Sequence, residues 1–112
     1  MMKLDYNIKR LNEIFVSGRV GFDFDGSLTQ KKIQDKVKKL LLEGIEIYVI
    51  SARDNANQIL DLTNKLGIKR YNVFAVGSNK EKINKVLSLN LDKFYDNNQD
   101  VINKLPNIGI KI

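Results

Sequence analysis

Two hydrophobic periods take turns along this chain. Ile45-Glu46-Ile47-Tyr48-Val49-Ile50 is β-branched and almost unbroken, the pattern of a strand covered on both faces. Just before it, Ile33, Val37, Leu40 and Leu41 recur at helical spacing with lysines between them, which predicts an amphipathic helix ending at Gly44. Downstream the exchange repeats. Ile59, Leu62 and Leu66 predict a second helix, opened by Asp54 as N-cap and stopped by Gly67. Tyr71 to Val76 reads as a strand, and Ser78-Asn79-Lys80-Glu81 has capping-box spacing before a third helix carrying Ile83, Val86 and Leu87. Phe94-Tyr95 reads as a short strand, Val101, Ile102 and Leu105 mark a short helix ended by Pro106, and Ile108 to Ile112 reads as a last strand. Upstream, Val16 to Asp25 reads as a strand broken at Gly18, with Val20, Phe22 and Phe24 on one face. Leu4, Ile8, Leu11 and Phe15 predict a helical arm over residues 1–15. Alternation of this kind leads to a five-stranded parallel sheet with helices on both faces and right-handed crossovers, an α/β sandwich of three layers over residues 16–112.

Composition narrows the chemistry. At 112 residues the chain has the length of one domain. It contains no cysteine and no histidine, so disulfides, thiolate metal sites and imidazole catalysis are excluded. Catalysis, if present, runs on carboxylates, hydroxyls and lysines. No apolar run approaches the roughly 20 residues of a membrane span, and the opening MMKLDYNIKRLNEIF carries acids inside its apolar spacing, unlike a secretory leader. A cytoplasmic location and no membrane contact are the expectation. The net charge of +6 favours encounters with polyanions, although lysine-rich composition alone produces the same figure.

In open parallel sheets, ligands bind beyond the carboxyl ends of the strands. The polar residues there are Asp23 and Asp25 after the first strand, Ser51 and Arg53 after the second, Ser78 to Lys82 after the third, and Asp96, Asn97 and Asp100 after the fourth. Asp23 and Asp25 alternate with aromatics, so both are expected to face away from Phe22 and Phe24 until the chain turns at Gly26. Two carboxylates held close are costly unless a cation lies between them, and a hard ion with oxygen ligands such as Mg²⁺ is the usual remedy.

These residues resemble the haloacid dehalogenase (HAD) superfamily of phosphohydrolases. The likeness rests on DFDGSLT, the hydroxyl in VISAR, a lysine at the start of the third helix, and DNNQD, and it runs from Val20 to about Ile102. The resemblance implies a Rossmann-like fold and roles for individual residues. Asp23 would attack phosphorus and form an aspartyl-phosphate. Asp25 would protonate the leaving oxygen and then activate water, its backbone carbonyl also binding Mg²⁺. Ser51 and Gly26 would hold phosphoryl oxygens, and Lys80, favoured over Lys82 because it precedes Ile83 by three positions, would neutralise charge on the transferring group. Asp23, Asp25 and Asp96 would make the metal site, with Asp100 and Asn97 beside it. Two departures weaken the fourth motif: Tyr95 stands where many members have glycine, and Asn97 where others have a second aspartate.

Neither gap between motifs has room for the cap domain that many such enzymes carry. A capless member acts on macromolecules that cover the site, or borrows a lid from a neighbouring subunit. Lys31, Lys32, Arg53, Lys80 and Lys82 all follow strand carboxyl ends and predict a basic rim. A phosphomonoesterase acting on a large or polyanionic phosphorylated substrate, such as a nucleic-acid end, is the leading expectation. A small-molecule phosphatase lidded by oligomerisation and a non-catalytic binding domain are the alternatives, and the oligomeric state is open.

Overall fold

A computed structural model of the protein describes residues 18–112; the arm expected over residues 1–15 and the Val16–Ser17 start of the first strand lie outside the described residues. Five strands form one parallel sheet: β1 (Arg19–Phe22), β2 (Glu46–Ser51), β3 (Val73–Ala75), β4 (Lys93–Asp96) and β5 (Gly109–Lys111). Between them run α1 (Lys31–Leu42), α2 (Asn57–Leu66), α3 (Asn79–Ser88) and α4 (Gln99–Asn103). The spatial order β3-β2-β1-β4-β5 is that of a Rossmann-like sandwich.

The unbroken apolar run of β2 has a simple cause. Ile47 and Val49 enter one core cluster with Ile33 and Val37 of α1 and Ile59 and Leu66 of α2. Tyr48 and Ile50 enter a second cluster on the other face with Val86 of α3, Val101 of α4, Leu105 and Phe94. A strand clothed on both faces cannot alternate with polar residues. β1 shows the same economy of space: a Cβ at Gly21 would come within 2.9 Å of the Phe94 ring, so only glycine lets Leu91 and Phe94 close over that face.

Two helix ends differ from expectation: α4 stops at Asn103, short of Leu105, and α2 starts later than Asp54. Asp54 does not cap α2, which starts at Asn57 with Ala56 at its N-cap, because Arg53 to Asn55 form a loop of their own whose Asn55 Oδ1 accepts from the Asn57 amide. Ser78 does cap α3, its Oγ accepting from the Glu81 amide at 3.1 Å. The third strand is shorter than Tyr71 to Val76, since Arg70–Asn72 is one tight 3₁₀ turn. No helix among the described residues is long and apolar enough to cross a membrane.

The chain builds β1, moves outward through β2 and β3, and returns on the opposite side of β1 as β4. The carboxyl ends of β1 and β4 therefore flank the switch in strand order, the place at which open parallel sheets bind their ligands. Phe22 pairs with Tyr95 in register, their rings stack at 4.9 Å, and the Asp23 amide donates to the Tyr95 carbonyl at 2.9 Å. One step further along each strand stand Asp23 and Asp96.

Candidate functional site

Because Phe22 and Tyr95 turn toward the α1–α2 face, strand alternation turns Asp23 and Asp96 toward α3. Both are buried, Asp23 with 4% and Asp96 with 0% of its surface exposed. Between them lies the ammonium of Lys82, 2.9 Å from Asp23 Oδ1 and 3.0 Å from Asp96 Oδ2. The remaining carboxylate oxygens are also engaged: Ser27 Oγ donates to Asp23 Oδ2 at 3.2 Å, and the Asn98 amide donates to Asp96 Oδ1 at 2.9 Å.

The charge balance inside this cluster is uneven. Two buried carboxylates share one ammonium, so burial of Asp23 outweighs the help from Lys82 and pushes its carboxyl up to about 6. Burial pulls Lys82 the other way, yet the hydrogen bond and charge of Asp23, joined by those of Asp96, hold it above the ordinary lysine range. An all-oxygen donor pair with negative charge in excess suits a hard divalent cation such as Mg²⁺ and not zinc, which favours nitrogen and sulfur.

Lys82 corrects the expectation that placed Lys80 here. Lys80 is exposed and lines a separate groove with Asn79, Ile83 and Asp100 between α3 and α4. The apolar spacing points to a core face of α3 through Ile83, Val86 and Leu87, but Leu87 is 60% exposed and the buried positions are Lys82 and Val86. Lys82 lies one helical turn before Val86 on the same face, so its aliphatic stem is buried with the core and its head reaches the aspartates.

Asp25 also departs from the expected arrangement. The chain leaves β1 through an irregular turn, Phe24–Leu28, in which Asp25 is extended and Gly26 takes φ +71°. Asp25 is thereby swung out of line with Asp23 and is exposed. Its carboxylate accepts from Arg53 Nε at 2.9 Å and Nη2 at 2.8 Å, and that guanidinium holds it below the usual carboxylate range. A triad of Asp23, Asp25 and Asp96 carboxylates is not assembled; among the described residues no group of three or more acidic side chains converges in a form able to hold a metal.

Gly26 is required twice over. Its positive φ favours glycine, and an added Cβ would overlap the Asn97 side-chain amide. Asn97, exposed after β4, thus packs on the turn that carries Asp25. Ser51 is 1% exposed at the end of β2, and its Oγ accepts from the Arg53 amide at 3.1 Å. Asp100 is exposed and offers its amide to Asn98 Oδ1. Lys31 and Lys32 are exposed at the start of α1, with Lys31 paired to Asp35 at 2.6 Å along the same helix. The structure therefore brings Asp23, Asp96 and Lys82 into contact, sets Asp25 against Arg53, and leaves Lys80, Lys31, Lys32 and Asp100 outside these contacts.

Ser27, within the DFDGSLT stretch, is a fully buried partner of Asp23. Its signal lay in a hydroxyl four residues after the aspartate, within reach once the chain bends at Gly26. Gln58, whose Oε1 accepts from Arg53 Nη1, had no local signal.

No family model and no curated protein sequence matches the chain. Among solved structures, the fold is similar to that of a chain from Vibrio cholerae provisionally assigned as a 3-deoxy-D-manno-octulosonate 8-phosphate phosphatase, with a TM-score of 0.51 and 17% identity. The likeness covers 77% of this chain and 60% of the neighbour's length. At that identity it is a likeness of fold.

Proposed function

We propose that the protein is a phosphomonoester hydrolase of the HAD type, dependent on Mg²⁺. The observation that carries this reading is the buried Asp23–Lys82–Asp96 cluster at the switch point, with both carboxylates within 3.0 Å of one ammonium. In this reading Asp23, Asp96 and the backbone carbonyl of Asp25 hold Mg²⁺, which supplies charge neutralisation for the phosphoryl group.

The chain's own residues do the rest. An Asp23 carboxylate oxygen attacks phosphorus, the bond to the leaving oxygen breaks, and Asp25 gives that oxygen its proton. Asp25 then takes a proton from water as the water oxygen attacks phosphorus, which releases inorganic phosphate and regenerates the Asp23 carboxylate. Ser51 hydrogen-bonds a phosphoryl oxygen, and Lys82, in the part first expected of Lys80, keeps Asp23 oriented and offsets charge in the transition state. Ser27 fixes the second oxygen of the nucleophile so that it does not rotate away from the line of attack.

Between Asp25 and Ser51 lie one turn, one helix and one strand, and between Ser51 and Lys82 one helix, a 3₁₀ turn and one strand; no cap is inserted among the described residues. The lack of an inserted cap, on a chain of net charge +6, favours a large or polyanionic phosphate ester, such as a nucleic-acid end. A second reading, a small phosphorylated sugar acid with a lid from another subunit, draws support from the name of the Vibrio cholerae neighbour.

Phosphate release with Mg²⁺ from p-nitrophenyl phosphate, sugar phosphates, nucleotides and end-phosphorylated oligonucleotides tests the proposal. Wild type is expected to turn over at least one of these and Asp23→Asn none. Turnover retained by Asp23→Asn removes the nucleophile, and a wild type inert on all of them removes the enzyme.

A further inference from the structure

Arg53 stands two residues beyond Ser51, on the loop that follows β2, and is held from three sides. Nε and Nη2 donate to the two oxygens of Asp25 at 2.9 and 2.8 Å, Nη1 donates to Gln58 Oε1, and the guanidinium lies 5.2 Å from the centroid of the Phe24 ring. Gln58 and Phe24 would keep the guanidinium in place if its carboxylate left. Asp25, by contrast, has no other side-chain partner among the described residues, and its side chain is 55% exposed.

This pairing conflicts with the work assigned to Asp25. A carboxyl that must turn an O–H toward a leaving group is poorly placed to do so while the guanidinium fork engages both of its oxygens. We infer that Arg53 is a phosphate receptor kept occupied by Asp25: the incoming phosphoryl group takes over the guanidinium fork, and the exchange frees the Asp25 carboxyl for the leaving oxygen. The inference rests on the phosphatase reading and adds a positioning role for Arg53 and a trigger for Asp25.

Energetics favour the exchange. An ion pair this exposed contributes little, whereas a phosphate dianion offers the guanidinium fork more charge in the same bidentate geometry. The ion pair also keeps Asp25 from acting before a phosphate is seated.

Titration calorimetry with inorganic phosphate in the presence of Mg²⁺, on wild type, Asp25→Asn, Arg53→Met and the double variant, tests this. Arg53→Met is expected to weaken phosphate about tenfold. Asp25→Asn should tighten it by no more than about fivefold, and in the Arg53→Met background that gain should shrink to twofold or less. An equal gain in both backgrounds reduces Asp25 to simple repulsion of the anion and overturns the exchange, as does unchanged affinity in Arg53→Met. Absence of phosphate binding in all four, together with absence of turnover in wild type, overturns the phosphatase reading itself and the exchange with it.

Discussion

Asp23→Asn should stabilise the protein while abolishing its proposed activity. Burial pushes the Asp23 carboxyl from its ordinary 3.8 up to about 6, because the Lys82 ammonium is divided between two carboxylates. At roughly 1.4 kcal/mol per decade, the difference corresponds to roughly 3 kcal/mol of folding free energy. The native state holds the proton more tightly than the unfolded chain, so this stability is fully present below pH 3.8, falls as pH rises through about 6, and is missing at pH 7. An amide needs no proton, and it can still accept from Lys82 while Ser27 turns its hydroxyl to accept from the new NH₂. Without divalent metal, Asp23→Asn should therefore gain about 1–3 kcal/mol at pH 7, where each kcal/mol moves the melting temperature by roughly 4–8 °C for a domain of this size. The gain should fade toward pH 4, where wild type has already taken up its proton. Thermal and urea unfolding of both proteins in chelator, at pH 7 and pH 4.5, reads it out. A variant less stable than wild type at pH 7, or a gain that does not change with pH, would refute the claim that Asp23 is a carboxylate held against its own desolvation.

The other expectations concern the same corner of the sheet. Mg²⁺ should raise the melting temperature of wild type and shift that of Asp23→Asn much less, since the cation supplies the charge the cluster lacks; equal shifts in a thermal melt would place the ion elsewhere. Lys82→Met strands two buried carboxylates and should cost about 3–5 kcal/mol, whereas Lys80→Met on the exposed side of α3 should stay within about 0.5 kcal/mol in urea unfolding and keep turnover. Gly26→Ala should lose about 1–2 kcal/mol from its left-handed backbone alone, plus the displacement of Asn97; Asn97→Ala in the same chain should restore the second part and not the first. Replacing Lys31 and Lys32 by alanine should weaken an end-phosphorylated oligonucleotide severalfold, with a salt dependence about two charges shallower, and leave p-nitrophenyl phosphate kinetics unchanged.

Much of this protein is legible before folding because it depends on short stretches. The alternation of period 2 and period 3.6 follows from how side chains leave a strand or a helix, and it foretells five strands, four of the helices and their order. The turn at Gly26 is likewise local, and so is the cap at Ser78. Asp23 and Ser51 could be placed at strand ends for the same reason, with no knowledge of their neighbours.

What the chain pattern left open are choices made only when elements dock. Lys80 and Lys82 differ by about 200° around α3, and the one that reaches Asp23 depends on which face of that helix docks; spacing from Ile83 points to Lys80, whereas the buried positions are Lys82 and Val86. The Asp25–Arg53 pair joins residues 28 apart through the adjacency of β1 and β2. The excess of negative charge exists only because the return of the chain across β1 sets Asp96 beside Asp23. Local sequence thus sets what each segment is and which polar groups it carries. Electrostatic environment and partnership come from segments distant in the chain, since burial and Coulomb interactions depend on separation in space.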